Sequence, residues 1–191
     1  MNLRTLALPL LISMVGMTQA WAVSAPNSAC PAVAKAAMDV EFGAGTSDIT
    51  RCLSTRDDVK VVVNFSSNIL HKSGVAQQLK NVENMVDNYE NIYAMKVNKN
   101  YRIIVIGHGS GGRFLLTDAA YNTAYGVTTG NPSRALVEAL VARGVSVVMC
   151  QNTMRGSKWV TADILPGVTE VPAGVTAVID YQYAGYKALT P

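Results

Sequence analysis

Hydrophobic and polar positions along most of the chain switch between the two periods typical of strands and helices. Short β-branched or apolar runs at residues 59–65, 101–106 and 145–149 predict three buried strands. Between them, apolar residues recur at helical spacing in residues 75–89 and 132–142. Strands linked by helices require crossovers too long for hairpins, which favours a parallel sheet. The pattern therefore predicts an α/β fold with helices on both faces of a mainly parallel sheet.

The end of the chain is less regular. Residues 167–171 predict a short fourth strand, residues 173–183 a helix, and residues 186–189 a last extended piece. Residues 121–130 are rich in Thr, Gly and Asn, which predicts a long loop beside the carboxyl edge of the sheet.

The beginning of the chain predicts export. Residues 1–22 carry Arg4, an apolar stretch at residues 6–17 and a small-x-small cleavage site ending at Ala22, which is the pattern of a secretory signal peptide. That apolar stretch is too short for a comfortable membrane span, and no later stretch is longer. We expect a periplasmic protein, with an N-terminal extension at residues 23–58 and one domain at residues 59–191.

Charge and composition exclude one class of partner. The chain has 16 basic and 13 acidic residues, a formal net charge of +3, and its basic residues are scattered. No stripe of basic and aromatic residues marks a nucleic-acid surface. Because the chain is 49% hydrophobic and 15% charged, its composition suits subunits with buried interfaces. No cofactor is indicated.

Three cysteines are an odd number for an exported protein. Cys30 and Cys52 lie in the extension and are the natural disulfide pair, either as a structural staple or as a redox-active pair. The absence of a C-x-x-C motif makes a thiol-disulfide enzyme the weaker interpretation. Cys150 is then left over, as a free or intermolecularly paired thiol.

Cys150 lies where the apolar run at residues 144–149 ends and polar residues begin, so we expect a thiol at the carboxyl end of the third strand. Ligands bind at that edge of open α/β sheets, yet a cysteine there is either an inert small hydrophobe or a nucleophile. A parallel sheet brings polar residues after each strand to the same edge, so His71 and His108 both become candidates to lie near Cys150. A cationic or hydrogen-bonding His108 would lower the pKa of the thiol.

The glycine-rich run at residues 107–112 matches G-x-G-x-x-G, but it lacks the following helix and the acidic residue of a dinucleotide site. We interpret it as a tight turn, with or without exposed amides that hold an anion. The nucleophile elbow of a hydrolase, G-x-S-x-G, needs Gly two residues before its serine. For Ser110 that position is occupied by His108, so the motif is broken. A metal site built from His71, His108 and Cys150 has no motif spacing, and none is predicted.

Several short motifs in order resemble the DsrE/DsrF-like family. They are residues 105–109, 144–154, 163–168, 171–175 and 183–191, and the resemblance covers residues 59–191. It implies a three-layer α/β/α fold with a parallel five-stranded sheet and subunits that assemble into trimers or hexamers. In the family's sulfur-relay branch, which includes TusD-like proteins, a cysteine at the end of the third strand accepts sulfur as a persulfide, and Cys150 matches that position.

The resemblance and the residues together predict an exported protein that carries or transfers sulfane sulfur as a persulfide on Cys150, and thus a possible sulfurtransferase. Cys150 and His108 are the expected catalytic residues. The expected ligand-binding residues are Asn64, Gly107, Gly109, Ser110, Gly111, Asn152 and Thr153. The alternative is a non-catalytic oligomeric module that binds a small ligand or is structural. Sulfur-relay members are cytoplasmic, so the donor and acceptor of an exported relative are unknown.

Overall fold

The computed structural model describes residues 30–191, and the predicted signal peptide lies outside this range. Its centre is a five-stranded sheet, ordered β4-β3-β2-β1-β5, in which every neighbouring pair is parallel. The strands are β1 Val59–Phe65, β2 Tyr101–Gly107, β3 Ser146–Cys150, β4 Thr169–Val171 and β5 Lys187–Leu189. The predicted α/β fold with a parallel five-stranded sheet is confirmed.

Helices precede, connect and follow these strands. They are α1 Ala32–Phe42, α2 Thr46–Ile49, α3 Gln77–Asp87, α4 Asp118–Tyr125, α5 Arg134–Ala142, α6 Gln151–Ser157 and α7 Gly174–Tyr183. A π-helical turn, Asn88–Ile92, extends α3, and 3₁₀ segments cover Gly109–Leu115 and Thr161–Asp163. Within residues 30–191, no helix is both long enough and apolar enough to cross a bilayer.

The two faces of the sheet are covered unequally. Successive strand residues point to opposite faces, so Val63, Val105 and Met149 join one core with α3 and α5. Val62, Ile106 and Val148 join a smaller core on the other face, which includes Ala177 of α7. Within the described residues, α7 is the helix that packs on that second face, and the result is a three-layer α/β/α arrangement.

The prediction of a long loop at residues 121–130 is wrong for the first half of that segment. Its first five residues belong to α4, which extends to Tyr125. The Thr117 side chain caps this helix by accepting the Ala120 N–H, and Gly126 ends it in the left-handed conformation at φ 65°. These end signals outweigh the weak helix propensity of the Thr, Gly and Asn residues.

A disulfide joins Cys30 to Cys52, as predicted, with their Cα atoms 5.1 Å apart. It closes a hairpin made of α1 and α2, and Met38 of α1 packs with Cys52 against Ile92. The bridge therefore anchors the extension on the π-helical turn that follows α3.

Candidate functional site

Alternation along three neighbouring strands brings Asn64, His108 and Cys150 to the α7 face of the sheet at its carboxyl edge. Val62, Ile106 and Val148 all belong to the core under α7. Because side-chain direction repeats every two residues in extended chain, the residues two positions later point to the same side. His108 and Cys150 keep extended backbone conformations, which preserves that alternation past the strand ends.

Cys150 ends β3 and immediately precedes α6. The residue is 4% exposed, and its thiol is the free one among the described cysteines. The Gly174 N–H, the first of α7, donates a hydrogen bond to Sγ at 3.1 Å. The sulfur is therefore buried against a helix amino end, where unpaired N–H groups and the helix dipole favour negative charge.

Two opposing effects set the pKa of Cys150. Burial raises the pKa of the thiol, but hydrogen bonds from the Gly174 N–H, from the Thr153 N–H and hydroxyl, and from the Asn152 N–H together lower it below its usual value. Gly174 is the principal donor, because the Asn152 N–H also donates to Pro172 O at 3.2 Å. The site thus stabilises the thiolate relative to that of a free cysteine, although it is closed to solvent.

Thr153 links the glycine-rich turn to the sulfur. Its Oγ1 accepts the Gly109 N–H at 2.9 Å, which leaves its own hydroxyl hydrogen free to donate to Cys150. The predicted site residues Gly109 and Thr153 therefore do come together with Cys150, in an arrangement in which the turn orients a donor to the thiol.

His108 lies beside Cys150 with Gly174 between them. A Cβ added to Gly174 would lie 3.0 Å from His108 Cβ and 3.2 Å from Cys150 Cβ, so a glycine fills this gap. Nε2 of His108 is hydrogen-bonded to Oδ1 of Asn64. Burial lowers the pKa of His108, which keeps the imidazole neutral at pH 7. The donors that lower the pKa of Cys150 are amides and a hydroxyl, in place of the histidine cation considered from the sequence.

The glycines of the turn serve close packing. A Cβ on Gly111 would lie 2.7 Å from Phe65 O, and one on Gly107 would lie 2.4 Å from Leu115 Cδ1. The Gly111 N–H donates to Ser66 O and His108 O, while the Gly109 N–H is bonded to Thr153. The N–H groups of Gly109 and Gly111 are therefore both hydrogen-bonded inside the protein.

Ser110, His71 and the side chain of Asn152 make their hydrogen bonds away from the sulfur. Ser110 donates its hydroxyl hydrogen to Ser66 O at 2.8 Å. The exposed side chain of Asn152 pairs with the Arg155 guanidinium. His71 pairs with Ser73 in its own loop at 2.8 Å. No cluster of three potential metal ligands exists among residues 30–191.

With this geometry established, comparison with known proteins identifies the family. A sequence profile of the DsrE/DsrF-like family matches residues 67–191. The chain belongs to the DsrE/DsrF-like family. No curated protein sequence matches this DsrE/DsrF-like chain.

One solved structure shares the fold of this DsrE/DsrF-like chain, and a second is similar to it at a lower level. MTH1491 of Methanobacterium thermoautotrophicum, a protein of unknown function, is 25% identical with a TM-score of 0.54, over 70% of this chain and 100% of that one. The YchN protein of E. coli is 16% identical with a TM-score of 0.45, over 69% of this chain and 97% of that one. The family match supports a sulfur-relay type of fold in general terms.

Sequence reasoning missed one residue of the site, Gly174. Its N–H reaches Cys150 because β4 pairs in register beside β3, with Val171 opposite Cys150. The available signal was Pro172-Ala173-Gly174 between a short strand and a helix, a pattern that predicts a helix start at this edge. That signal predicts that the Gly174 N–H lies at the carboxyl edge of the sheet, but it does not identify the side chain that the N–H contacts.

Proposed function

We propose that this protein carries sulfane sulfur as a persulfide on Cys150. The observation that carries the proposal is the placement of the thiol at the end of β3, where the Gly174 N–H donates to its sulfur and its pKa lies below the usual range. A thiolate is the nucleophilic form of cysteine, and a lowered pKa increases its share at neutral pH. Membership of the DsrE/DsrF-like family supports the same chemistry.

The proposed transfer moves one sulfur atom without net oxidation. The Cys150 thiolate, which the Gly174 N–H stabilises, attacks the terminal sulfur of a donor R–S–S⁻. The new S–S bond forms on Cys150, the S–S bond of the donor breaks, and its electron pair leaves on R–S⁻. An acceptor thiolate takes the sulfur from Cys150 by the same exchange in reverse.

Burial limits the size of the proposed donor. Cys150 is 4% exposed, and Gly174 packs over it so closely that an added Cβ would lie 3.2 Å from Cys150 Cβ. A narrow inorganic sulfane anion such as thiosulfate or a short polysulfide reaches such a sulfur more readily than a folded protein disulfide. The amide donors around the thiol also favour an anionic reactant.

The proposed setting is the periplasm, reached through cleavage of the signal peptide expected at residues 1–22. The proposed quaternary state is a homotrimer or homohexamer. The outer side of α7 supports such assembly, because Val175, Ile179 and Tyr183 are exposed there.

A second candidate is a non-catalytic oligomeric module of the same fold. The specific observation in its favour is also the burial of Cys150, since an enclosed thiol packs like a small hydrophobe. The two candidates differ in one property, which is whether the folded protein's thiol accepts sulfur.

The test is an intact-mass measurement on the protein beginning at Val23. After exposure to thiosulfate or polysulfide, we expect an added mass of about 32 Da that a reductant removes. Cys150→Ser is the matched control and should gain nothing, because Cys30 and Cys52 are bonded to each other. Absence of the adduct with every donor, together with resistance of Cys150 to iodoacetamide, would overturn the sulfur-carrier proposal and favour the non-catalytic module.

A further inference from the structure

We propose that Asn64 is a positioning residue that holds His108 as the Nε2–H tautomer, leaving the lone pair on Nδ1, with Thr190 bonded to the other end of the Asn64 amide. This inference deepens the sulfur-carrier proposal, on which a catalytic use of His108 rests. It replaces the ligand-binding role expected of Asn64 from the sequence.

The contact between Asn64 and His108 sets the tautomer. Oδ1 of Asn64, which can only accept a hydrogen bond, lies against Nε2 of His108. A neutral imidazole carries its hydrogen on one nitrogen, and the partner of that nitrogen determines which one. With the hydrogen on Nε2, the lone pair available for a proton is on Nδ1.

Thr190 contacts the other end of the Asn64 amide. Nδ2 of Asn64 donates to Oγ1 of Thr190 at 3.3 Å, while Oδ1 of the same amide contacts the imidazole. The register of the sheet builds this contact, because Val63 of β1 pairs with Leu189 of β5. The next residue along each chain segment is Asn64 on one side and Thr190 on the other.

The backbone of Asn64 is anchored independently of its side chain. Its carbonyl accepts a hydrogen bond from Nε2 of Gln78 at 3.2 Å. Oε1 of the same Gln78 accepts the N–H groups of Ser66 and Ser67, at 3.1 and 2.8 Å. Gln78 is buried, so one enclosed side chain holds the turn that follows β1 and thereby restricts where the Asn64 amide can point.

The neutral amide orients the imidazole without charging it. A carboxylate in the same place would favour the imidazolium, as in histidine–aspartate pairs, whereas an amide has no net charge. The groups around His108 are Asn64 from β1 and Gly174 from α7, both neutral, with Cys150 from β3 as the titratable side chain across Gly174. Burial keeps the pKa of His108 low, and Asn64 leaves that effect unopposed.

Nuclear magnetic resonance of ¹⁵N-histidine-labelled protein tests the inference directly. The chain has two histidines, so His71 provides an internal reference for His108. In the wild type at neutral pH, we expect His108 to show a hydrogen on Nε2 and none on Nδ1. A hydrogen on Nδ1 instead would overturn the proposal without any variant being made.

Three variants and one control variant extend the measurement. Asn64→Asp should raise the pKa of His108 by about one unit or more and leave His71 unchanged, because a carboxylate stabilises the imidazolium. Asn68→Asp is the matched control, since it adds the same charge on an exposed residue of the same loop and should move His108 far less. Asn64→Leu should give a mixture of tautomers, and Thr190→Val should shift the mixture in the same direction to a smaller extent.

Persulfide formation measured in the same proteins separates the two proposals. If the wild type has the Nε2–H tautomer and Asn64→Asp shifts His108 but no protein gains sulfur, the sulfur-carrier function fails and the positioning role stands. If the wild type gains sulfur but His108 is unaffected by Asn64→Asp and Asn64→Leu, the positioning role fails and the function stands.

Discussion

Replacing Gly174 by proline is expected to raise the pH at which half of Cys150 is thiolate by at least about one unit. Proline removes the N–H that donates to the sulfur at 3.1 Å. A hydrogen bond to a charged group contributes about 1.5–3 kcal/mol, and one pKa unit corresponds to about 1.4 kcal/mol. The measurement is the rate of alkylation by iodoacetamide as a function of pH, and Cys150 is the thiol that reacts because Cys30 and Cys52 are bonded.

Gly174→Ala is the matched control for this change. Both variants add a Cβ between His108 and Cys150, but alanine keeps the N–H. Proline is tolerated at the first position of a helix, and the extended backbone of Ala173, with ψ 118°, is compatible with a following proline. The alanine variant should keep a midpoint near that of the wild type. Equal midpoints for the two variants would show that the Gly174 N–H does not stabilise the thiolate.

Replacing Gly111 by alanine is expected to lower the free energy of unfolding by at least about 2 kcal/mol. The new Cβ would lie 2.7 Å from the carbonyl oxygen of Phe65 and 3.1 Å from the carbonyl carbon of Ser66. Both atoms belong to the backbone at the end of β1, which moves less readily than a side chain. Urea denaturation followed by circular dichroism measures the change.

Gly156→Ala provides the comparison for this prediction. Gly156 lies inside α6, and a Cβ there would meet nothing within 4 Å. The same substitution should therefore stabilise the protein, by up to about 1 kcal/mol, because alanine favours a helix over glycine. Two variants of equal stability would mean that the turn after β2 adapts to a side chain, contrary to the close packing described above.

The fold could be predicted from the sequence to the extent that periodicity decides it. The β-branched run of β1 coincides with the strand in the structure, Val59–Phe65. The helices α4 and α6 could not be predicted in this way, because one contains polar residues and small apolar ones and the other is seven residues long. Their ends are determined by hydrogen bonds such as the Thr117 cap, which carry little signal in hydrophobic patterning.

The site could be predicted in part for a similar reason. Side-chain alternation along parallel strands is enough to place Asn64, His108 and Cys150 at one edge. The groups that donate to the sulfur are determined by the path of the chain between β3 and α7. That path places Gly174, 24 positions away in sequence, next to Cys150. The pairing of Asn64 with Thr190, 126 positions apart, likewise depends on the position of β5 at the sheet edge.

The enclosure of Cys150 by Gly174 has a kinetic consequence. The N–H that stabilises the ionised form of the sulfur belongs to the same residue that closes over it. Drawing the start of α7 away to admit a reactant would break that hydrogen bond, so access and acidity oppose each other at this thiol. Chemical modification would then proceed through brief openings, as amide hydrogen exchange does in a folded protein. A low pKa combined with slow alkylation is the signature of such a site.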